Sequence, residues 1–247
     1  MKFYKTMNLC IDIGNSRTKI ALFQENRVVA EHTCEELTKD FLQEIFAKYD
    51  VKKSIISSVT HNKREIITFL KKRTDLVELT NETPLSLKIN YLTPKTLGRD
   101  RIAAAVGAAE ILPNSDILII DIGSCVTMDL VTADGVFHGG NIAPGFLMRI
   151  NAMHDYTAKL PIVKPQVPYA FLGKSTTEAV LYGAFWGIVS EVNALLDRLL
   201  SDCKNISIVL TGGDSHYFKN HLKRCRKVVP NLVLIGLNAI LELKDKN

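Results

Sequence analysis

Two short segments carry the residue types that phosphate chemistry requires. They are Asp12-Ile-Gly-Asn-Ser-Arg-Thr-Lys19 and Asp121-Ile-Gly-Ser124. In each, an aspartate closes an apolar run, and a glycine and then hydroxyl or amide side chains follow. Glycine lets backbone N–H groups come close to a phosphate, and Gly14 and Gly123 supply it. Asn15, Ser16, Ser124 and Thr127 add side-chain donors, and Lys19 adds a cation. A carboxylate at a strand end can hold Mg²⁺, usually through water, and Asp12 and Asp121 are placed for that. A third glycine turn, Thr211-Gly-Gly-Asp214, follows an apolar run and precedes a predicted helix, whose N-terminus suits a nucleotide. The chain has no G-x-x-x-x-G-K-[ST] and no G-x-G-x-x-G, so it is neither a P-loop enzyme nor a dinucleotide fold.

Either aspartate–glycine segment alone reads as an ordinary β-turn. The elements around them make the pair informative. Apolar patterning predicts strands over 7–13, 18–23 and 28–32, a helix over 38–49 capped by Thr38 or Asp40, a strand over 54–59, a helix over 62–73 and a strand over 76–79. An alanine-rich helix is predicted over 100–112, and Pro113-Asn114-Ser115 then marks a domain boundary. The second half repeats the order: strands over 117–122, 126–132 and 136–142, a helical stretch opened by Pro144-Gly145, a long helix over 176–200 and a strand over 206–210. A last strand is predicted over 232–235 and a last helix over 237–243. The fold class is thus α/β, with two βββαβα halves spanning 1–114 and 115–247, and each Asp-x-Gly turn follows the first strand of its half.

The bulk properties exclude several classes. The 247 residues are 47 % hydrophobic and 23 % charged, ordinary for a globular protein that buries its own core. A formal charge of +5 is compatible with an anionic substrate but too dispersed for nucleic acid. The densest basic stretch, Lys219 to Lys227, reads as a solvated face. Five cysteines (10, 34, 125, 203 and 225) form no C-x-x-C, which points to a reducing cytosol and away from disulfides or zinc. Asp12 breaks the first apolar run, so no signal peptide is expected, and the run Ala179 to Val189 is too short to span a membrane.

Two glycine-turn hairpins in a repeated α/β frame resemble the actin, hexokinase and Hsp70 superfamily, whose two domains hold a nucleotide in the cleft between them. A narrower resemblance comes from Tyr91-Leu-Thr-Pro-Lys-Thr-Leu-Gly-Arg-Asp-Arg101 with the Ile-Ala-Ala-Ala-Val-Gly-Ala108 that follows. This is similar to the Y-x-x-P-x-x-L-G-x-D-R-x-A-A-x-x-G-A signature of type III pantothenate kinases. Gly139-Gly-Asn-Ile-Ala-Pro-Gly145, Thr157-Ala-Lys-Leu-Pro161, Ser175-Thr-Thr-Glu-Ala179 and Thr211-Gly-Gly213 match the same family in the same order. The ordered set covers about residues 7 to 240.

The resemblance implies roles. Asp100 is expected to be the general base toward the primary hydroxyl of pantothenate. Arg101 is expected to bind the substrate carboxylate with Gly98 and Arg99, and Tyr91 and Thr176 to complete that pocket. Asp12, Ile13, Gly14, Asn15, Ser16, Arg17, Thr18, Lys19 and Ser124 are expected to bind ATP, with Asp12 near Mg²⁺. Asp121 is associated in this family with a monovalent cation, K⁺ or NH₄⁺. A cytoplasmic homodimer is expected on the same ground.

Some residues depart from the family pattern. Ser16 and Ser124 stand where threonine is usual, Cys125 where alanine is common, and Ser175 where asparagine is frequent. None of these removes a group with an expected role. Tyr182, Phe185 and Trp186 read as core, and Lys159 as solvated. Three rivals remain at this level: another phosphotransferase of the superfamily, a nucleotide-binding regulator, and an actin-like filament protein. The Tyr91–Arg101 segment argues against the first, the presence of Asp12 and Asp100 against the second, and the short chain against the third.

Overall fold

A computed structural model of the chain describes residues 6–58, 64–202, 205–225 and 227–244. The first part is a meander of β1 (Met7–Ile13), β2 (Thr18–Gln24) and β3 (Arg27–Cys34), then α1 (Lys39–Lys48), β4 (Val51–Ser58), α2 (Arg64–Lys71) and β5 (Asp75–Glu78). Their sheet has the order β3-β2-β1-β4-β5, antiparallel through the meander and parallel from β1 to β5. Alternation sends Leu9, Ile11 and Ile13 to one face, where they pack with Ile56, Leu42, Ile45, Phe69 and Leu70. Thr38 caps α1 as expected, its side chain accepting from Phe41 N at 3.2 Å. Residue 59 of the predicted strand and residues 62–63 of the predicted helix lie outside the described residues.

The chain continues through β6 (Lys88–Ile89), a 3₁₀ turn at Pro94–Thr96 and α3 (Arg99–Ile111). There follow β7 (Ile117–Ile122), β8 (Cys125–Val131), β9 (Val136–Pro144), α4 (Phe146–Asp155), α5 (Thr176–Asp202), β10 (Ser207–Thr211), α6 (Ser215–Phe218), β11 (Lys227–Val228) and α7 (Leu232–Leu243). The second sheet runs β11-β10-β7-β8-β9-β6. Strands β9-β8-β7-β10-β11 thus repeat the order β3-β2-β1-β4-β5, with β6 added at the edge. The core of this part is aromatic: Phe185 stacks on Phe218 at 4.7 Å, and Phe146 meets both edge-on. Phe185 and Tyr182 are buried in it, and Trp186 is half-buried with its indole N–H donating to Ala170 O at 3.0 Å.

Two compact units emerge. One comprises Met1–Pro113, Gly135–Phe137 and Leu232–Asn247, and the other Asn114–Asp134 and His138–Asn231. The break after Pro113 adjoins the expected boundary, but the last helix and the Gly135–Phe137 turn belong with the first unit.

That last helix corrects the sequence reading. Leu232–Ile235 is not a strand, because α7 is one continuous helix over Leu232–Leu243. It is buried nearly all round, against α3, β1 and β4, so no helical periodicity marks it. Two glycines allow the approach to α3. A Cβ on Gly236 would lie 1.7 Å from Ala103 O, and one on Gly107 would lie 2.4 Å from Leu232 O. Asn238 is buried there and satisfied, accepting from Asn8 Nδ2 and donating to Glu25 O, each at 2.9 Å. The basic stretch is solvated as expected, with Lys219, Lys223, Arg224 and Lys227 exposed, and its end, Lys227 and Val228, pairs as β11 on β10.

Candidate active site

The β1–β2 hairpin presents residues 12–19. Its last paired residues are Ile13 and Thr18, and Gly14 N donates to Arg17 O at 3.1 Å to close the tip. Ile13 and Thr18 are buried and anchor the turn, while Asn15, Ser16 and Arg17 are exposed. Asp12 and Lys19 are direct cross-strand partners and both are half-buried. The strand therefore places a carboxylate and an ammonium on one face beside a tip rich in donors.

In the second unit the β7–β8 hairpin has the same design. Asp121 pairs with Thr127, Ile122 pairs with Val126, and Gly123 N donates to Cys125 O at 2.9 Å. Ser124 is exposed at the tip, and Asp121 is half-buried. The Thr211-Gly-Gly turn presses on this strand end. Gly212 has φ +97°, and a Cβ there would lie 2.2 Å from Ile122 O and 2.5 Å from Asp121 Oδ1. Asp214 N donates to Ile122 O at 2.9 Å and fixes the turn. Asp121 is thus a half-buried strand-end carboxylate held against the Gly212 turn, an oxygen ligand of the kind a hard cation takes.

The Tyr91–Arg101 segment forms a second cluster in the first unit. Asn81 Nδ2 donates to Pro94 O at 2.7 Å and to Leu97 O at 3.0 Å, pinning the 3₁₀ turn that leads into α3. Gly98 is the N-cap of α3, and Asp100 lies in the first turn, exposed. Its Oδ1 accepts from Arg101 N at 2.9 Å. A carboxylate there is favoured by the helix dipole. Gly98 makes room for it, since a Cβ would lie 2.5 Å from Asp100 Oδ1.

Neither arginine is simply solvated. Arg99 is half-buried and donates from Nη1 to Ser58 O at 3.1 Å. Ser58 is the register partner of Ile13, next to Asp12, so this bond ties the start of α3 to the end of the hairpin strand. Arg101 is 6 % exposed, and its Cζ lies 5.8 Å from the Tyr91 ring and 5.9 Å from the Phe137 ring. The first unit carries residues 12–19, Tyr91 and Gly98–Arg101, and Arg99 links the start of α3 to the strand beside Ile13.

Thr176 lies in the second unit, exposed, as the first residue of α5. Ser175 Oγ accepts from Glu178 N at 3.2 Å, and the Glu178 carboxylate accepts from Lys174 N at 2.7 Å and the Tyr169 hydroxyl at 2.5 Å. The phenol bond to Glu178 raises the Tyr169 pKa well above its usual range and lowers that of Glu178.

Over residues 8–198 the sequence matches the profile of the type III pantothenate kinase family. A type III pantothenate kinase of Phocaeicola vulgatus is 39 % identical over 241 residues, covering 97 % of this chain and all of the relative. The chain belongs to the type III pantothenate kinase family. Another such kinase, from Christiangramia forsetii, is 40 % identical over 96 % of this chain and 98 % of its own length. Among solved structures, a Baf family protein of Campylobacter jejuni aligns with a TM-score of 0.62 at 22 % identity, covering 97 % of this chain and all of that one. The activator of 2-hydroxyisocaproyl-CoA dehydratase from Clostridium difficile, with bound ADPNP, aligns with a TM-score of 0.56 at 13 % identity over 97 % and 96 % of the two chains. These likenesses concern the fold, which is that of the actin, hexokinase and Hsp70 superfamily.

For a type III pantothenate kinase the pattern also hides some residues from sequence reasoning. Phe137, Asn81 and Ser58 had no signal of their own. Each acts through a backbone atom or a neighbour far along the chain. Only the S-x-x-E spacing of Ser175 and Glu178 carries a readable capping signature.

Proposed function

We propose that this chain transfers the γ-phosphoryl group of ATP to the primary hydroxyl of pantothenate, giving 4′-phosphopantothenate and ADP at the start of coenzyme A synthesis. The observation that carries this reading is the full-length relation to type III pantothenate kinases, with Asp100 intact on the first turn of α3.

Asp100 accepts the proton of the substrate hydroxyl as its oxygen attacks the γ-phosphorus, and ADP leaves from the opposite side. Its exposure suits a group that must reach a bound substrate. Arg101 pairs with the carboxylate of pantothenate, a geometry that guanidinium suits. Tyr91, Gly98, Arg99 and Thr176 complete the pocket. Residues 12–19 and Ser124 bind ATP, with Gly14 giving the phosphates access to backbone N–H groups.

The site residues fit the ions that such a kinase would use. Asp12 is a half-buried strand-end carboxylate, the kind of single ligand that Mg²⁺ takes alongside substrate phosphates. Asp121, a half-buried carboxylate held against the Gly212 turn, fits a monovalent cation, K⁺ or NH₄⁺. The metal supplies charge neutralisation on the phosphates, and the protein supplies position.

A homodimer is supported by apolar side chains left exposed on the second unit: Tyr156, Ile162, Tyr169, Phe171 and Leu172 are 69–88 % exposed. A cytoplasmic location is supported by free cysteines at 10, 34, 125 and 225. The test is phosphate transfer from ATP to pantothenate with Mg²⁺, with and without K⁺ or NH₄⁺. Product that requires the monovalent cation agrees with the reading, and no product under any cation overturns it.

A further inference from the structure

The surroundings of Arg101 hold a residue with no assigned role. Phe137 is fully buried at the second position of β9. Its ring centroid lies 6.3 Å from that of Tyr91, and the Arg101 guanidinium carbon lies at nearly equal distance from both rings, 5.9 Å and 5.8 Å. One short ladder sets both rings: Ile89 pairs with Phe137, and Lys88 N and Asn90 N donate to Gly135 O and Phe137 O at 2.9 Å. The turn Gly135–Phe137 is the only part of the 114–231 stretch that clusters with the first unit, where Arg101 is.

The physical consequence concerns hydration and freedom. A guanidinium against two ring faces is attracted to both and loses part of its water shell and its rotamer freedom. A fixed, partly dehydrated cation gains more from an arriving carboxylate than a mobile, hydrated one. A neutral group in the same place gains little from it. The rings therefore bear on the choice between an acid and its neutral analogue.

We propose that Phe137 is a positioning residue that, through Arg101, sets the preference of this enzyme for a carboxylate-bearing substrate. The assignment rests on the reading of Arg101 as the partner of the pantothenate carboxylate. Phe137 itself is buried and acts only through the guanidinium.

The test uses Phe137→Leu and Phe137→Met with two substrates. One is pantothenate, and the other is pantothenol, in which a hydroxymethyl group replaces the carboxylate and the reacting hydroxyl remains. Loss of one ring contact is expected to lower kcat/KM for pantothenate about three- to thirty-fold, the range of a cation–π contact, through KM. The value for pantothenol stays near wild type, so the ratio between the two narrows. Phe185→Leu, in the core of the second unit, is the control and should lower stability without narrowing the ratio. Equal loss on both substrates, an unchanged ratio, or the same narrowing in Phe185→Leu overturns the assignment of Phe137. A wild type that does not favour pantothenate over pantothenol overturns the role of Arg101, and one that phosphorylates neither overturns the functional reading itself.

Discussion

Arg99 donates from its guanidinium to the carbonyl oxygen of Ser58 at 3.1 Å, a bond that spans 41 residues of chain. It joins the first residue of α3 to the last residue of β4, whose register partner is Ile13 beside Asp12. Removing it should loosen the helix start that carries Asp100. Arg99→Ala is expected to cost ~1–2 kcal/mol of stability, below the full worth of a shielded charged hydrogen bond because the side chain is half-buried. Activity should fall by more than that loss of folded protein explains. Arg99→Lys, with a point-charge ammonium in place of a planar fork, should recover the melting temperature better than the rate. Thermal melts and initial rates on the same preparations check this, and rates that simply follow the folded fraction would contradict it.

The contact between α3 and α7 should tolerate no side chain at its glycines. A Cβ at Gly236 would sit 1.7 Å from Ala103 O, which is backbone and cannot swing aside. Gly236→Ala is expected to destabilise by ~3 kcal/mol or more, at the upper end for overpacking. Denaturant unfolding measures it, and a change under ~1 kcal/mol would mean that the helices separate freely.

Gly212 and Gly213 are adjacent and should behave differently. Gly212 has φ +97° and lies against Asp121 and Ile122, whereas a Cβ at Gly213 would have no heavy atom within 4 Å. Gly212→Ala should lower the melting temperature and, on the proposal that Asp121 holds a monovalent cation, weaken any dependence of the rate on K⁺. Gly213→Ala should melt like wild type and lose affinity for ATP only if the nucleotide phosphates come close to this turn. Calorimetric titration with a non-hydrolysable ATP analogue separates the two. Unchanged binding by Gly213→Ala would remove the Thr211–Gly213 turn from the nucleotide site.

The clamp before α5 has a defined pH window. The Glu178 carboxyl is lowered from its ordinary 4.5, so its contribution is present above that value and is lost as pH falls through the depressed one. The Tyr169 phenol is raised from 10.0, so its contribution is present below that value and is lost as pH rises through the elevated one. The segment that leads to Thr176 is therefore held from about pH 5 to about pH 10. In Glu178→Gln the Tyr169 phenol should titrate closer to its ordinary value, by ultraviolet difference spectra. An unchanged titration would mean that the two side chains do not meet in solution.

Much of this was legible in the sequence, for identifiable reasons. Asp12 and Asp121 each end a β-branched or apolar run and precede a glycine, so period and turn chemistry agreed and the hairpins fell where expected. The signature Tyr91–Arg101 pointed to the start of α3, whose cap is Gly98. The failures share a cause. Residues 232–235 read as a strand because Val233 and Ile235 are β-branched and a helix buried all round shows no polar face. Phe137 and Ser58 gave no signal because their relation to Arg101 and Arg99 exists only once β9 meets β6 and α3 meets β4. Glycines 107 and 236 are unremarkable until α7 lies on α3.

The most direct test compares wild type with Asp100→Asn in the transfer of phosphate from ATP to pantothenate. Asparagine keeps the size of the side chain and its bond from Arg101 N but cannot accept the hydroxyl proton. The expected result is a fall in kcat of about 10²–10⁴, the usual worth of a general base, with the melting temperature and the affinity for an ATP analogue unchanged. An Asp100→Asn protein that turns over within a few-fold of wild type would contradict Asp100 as the base.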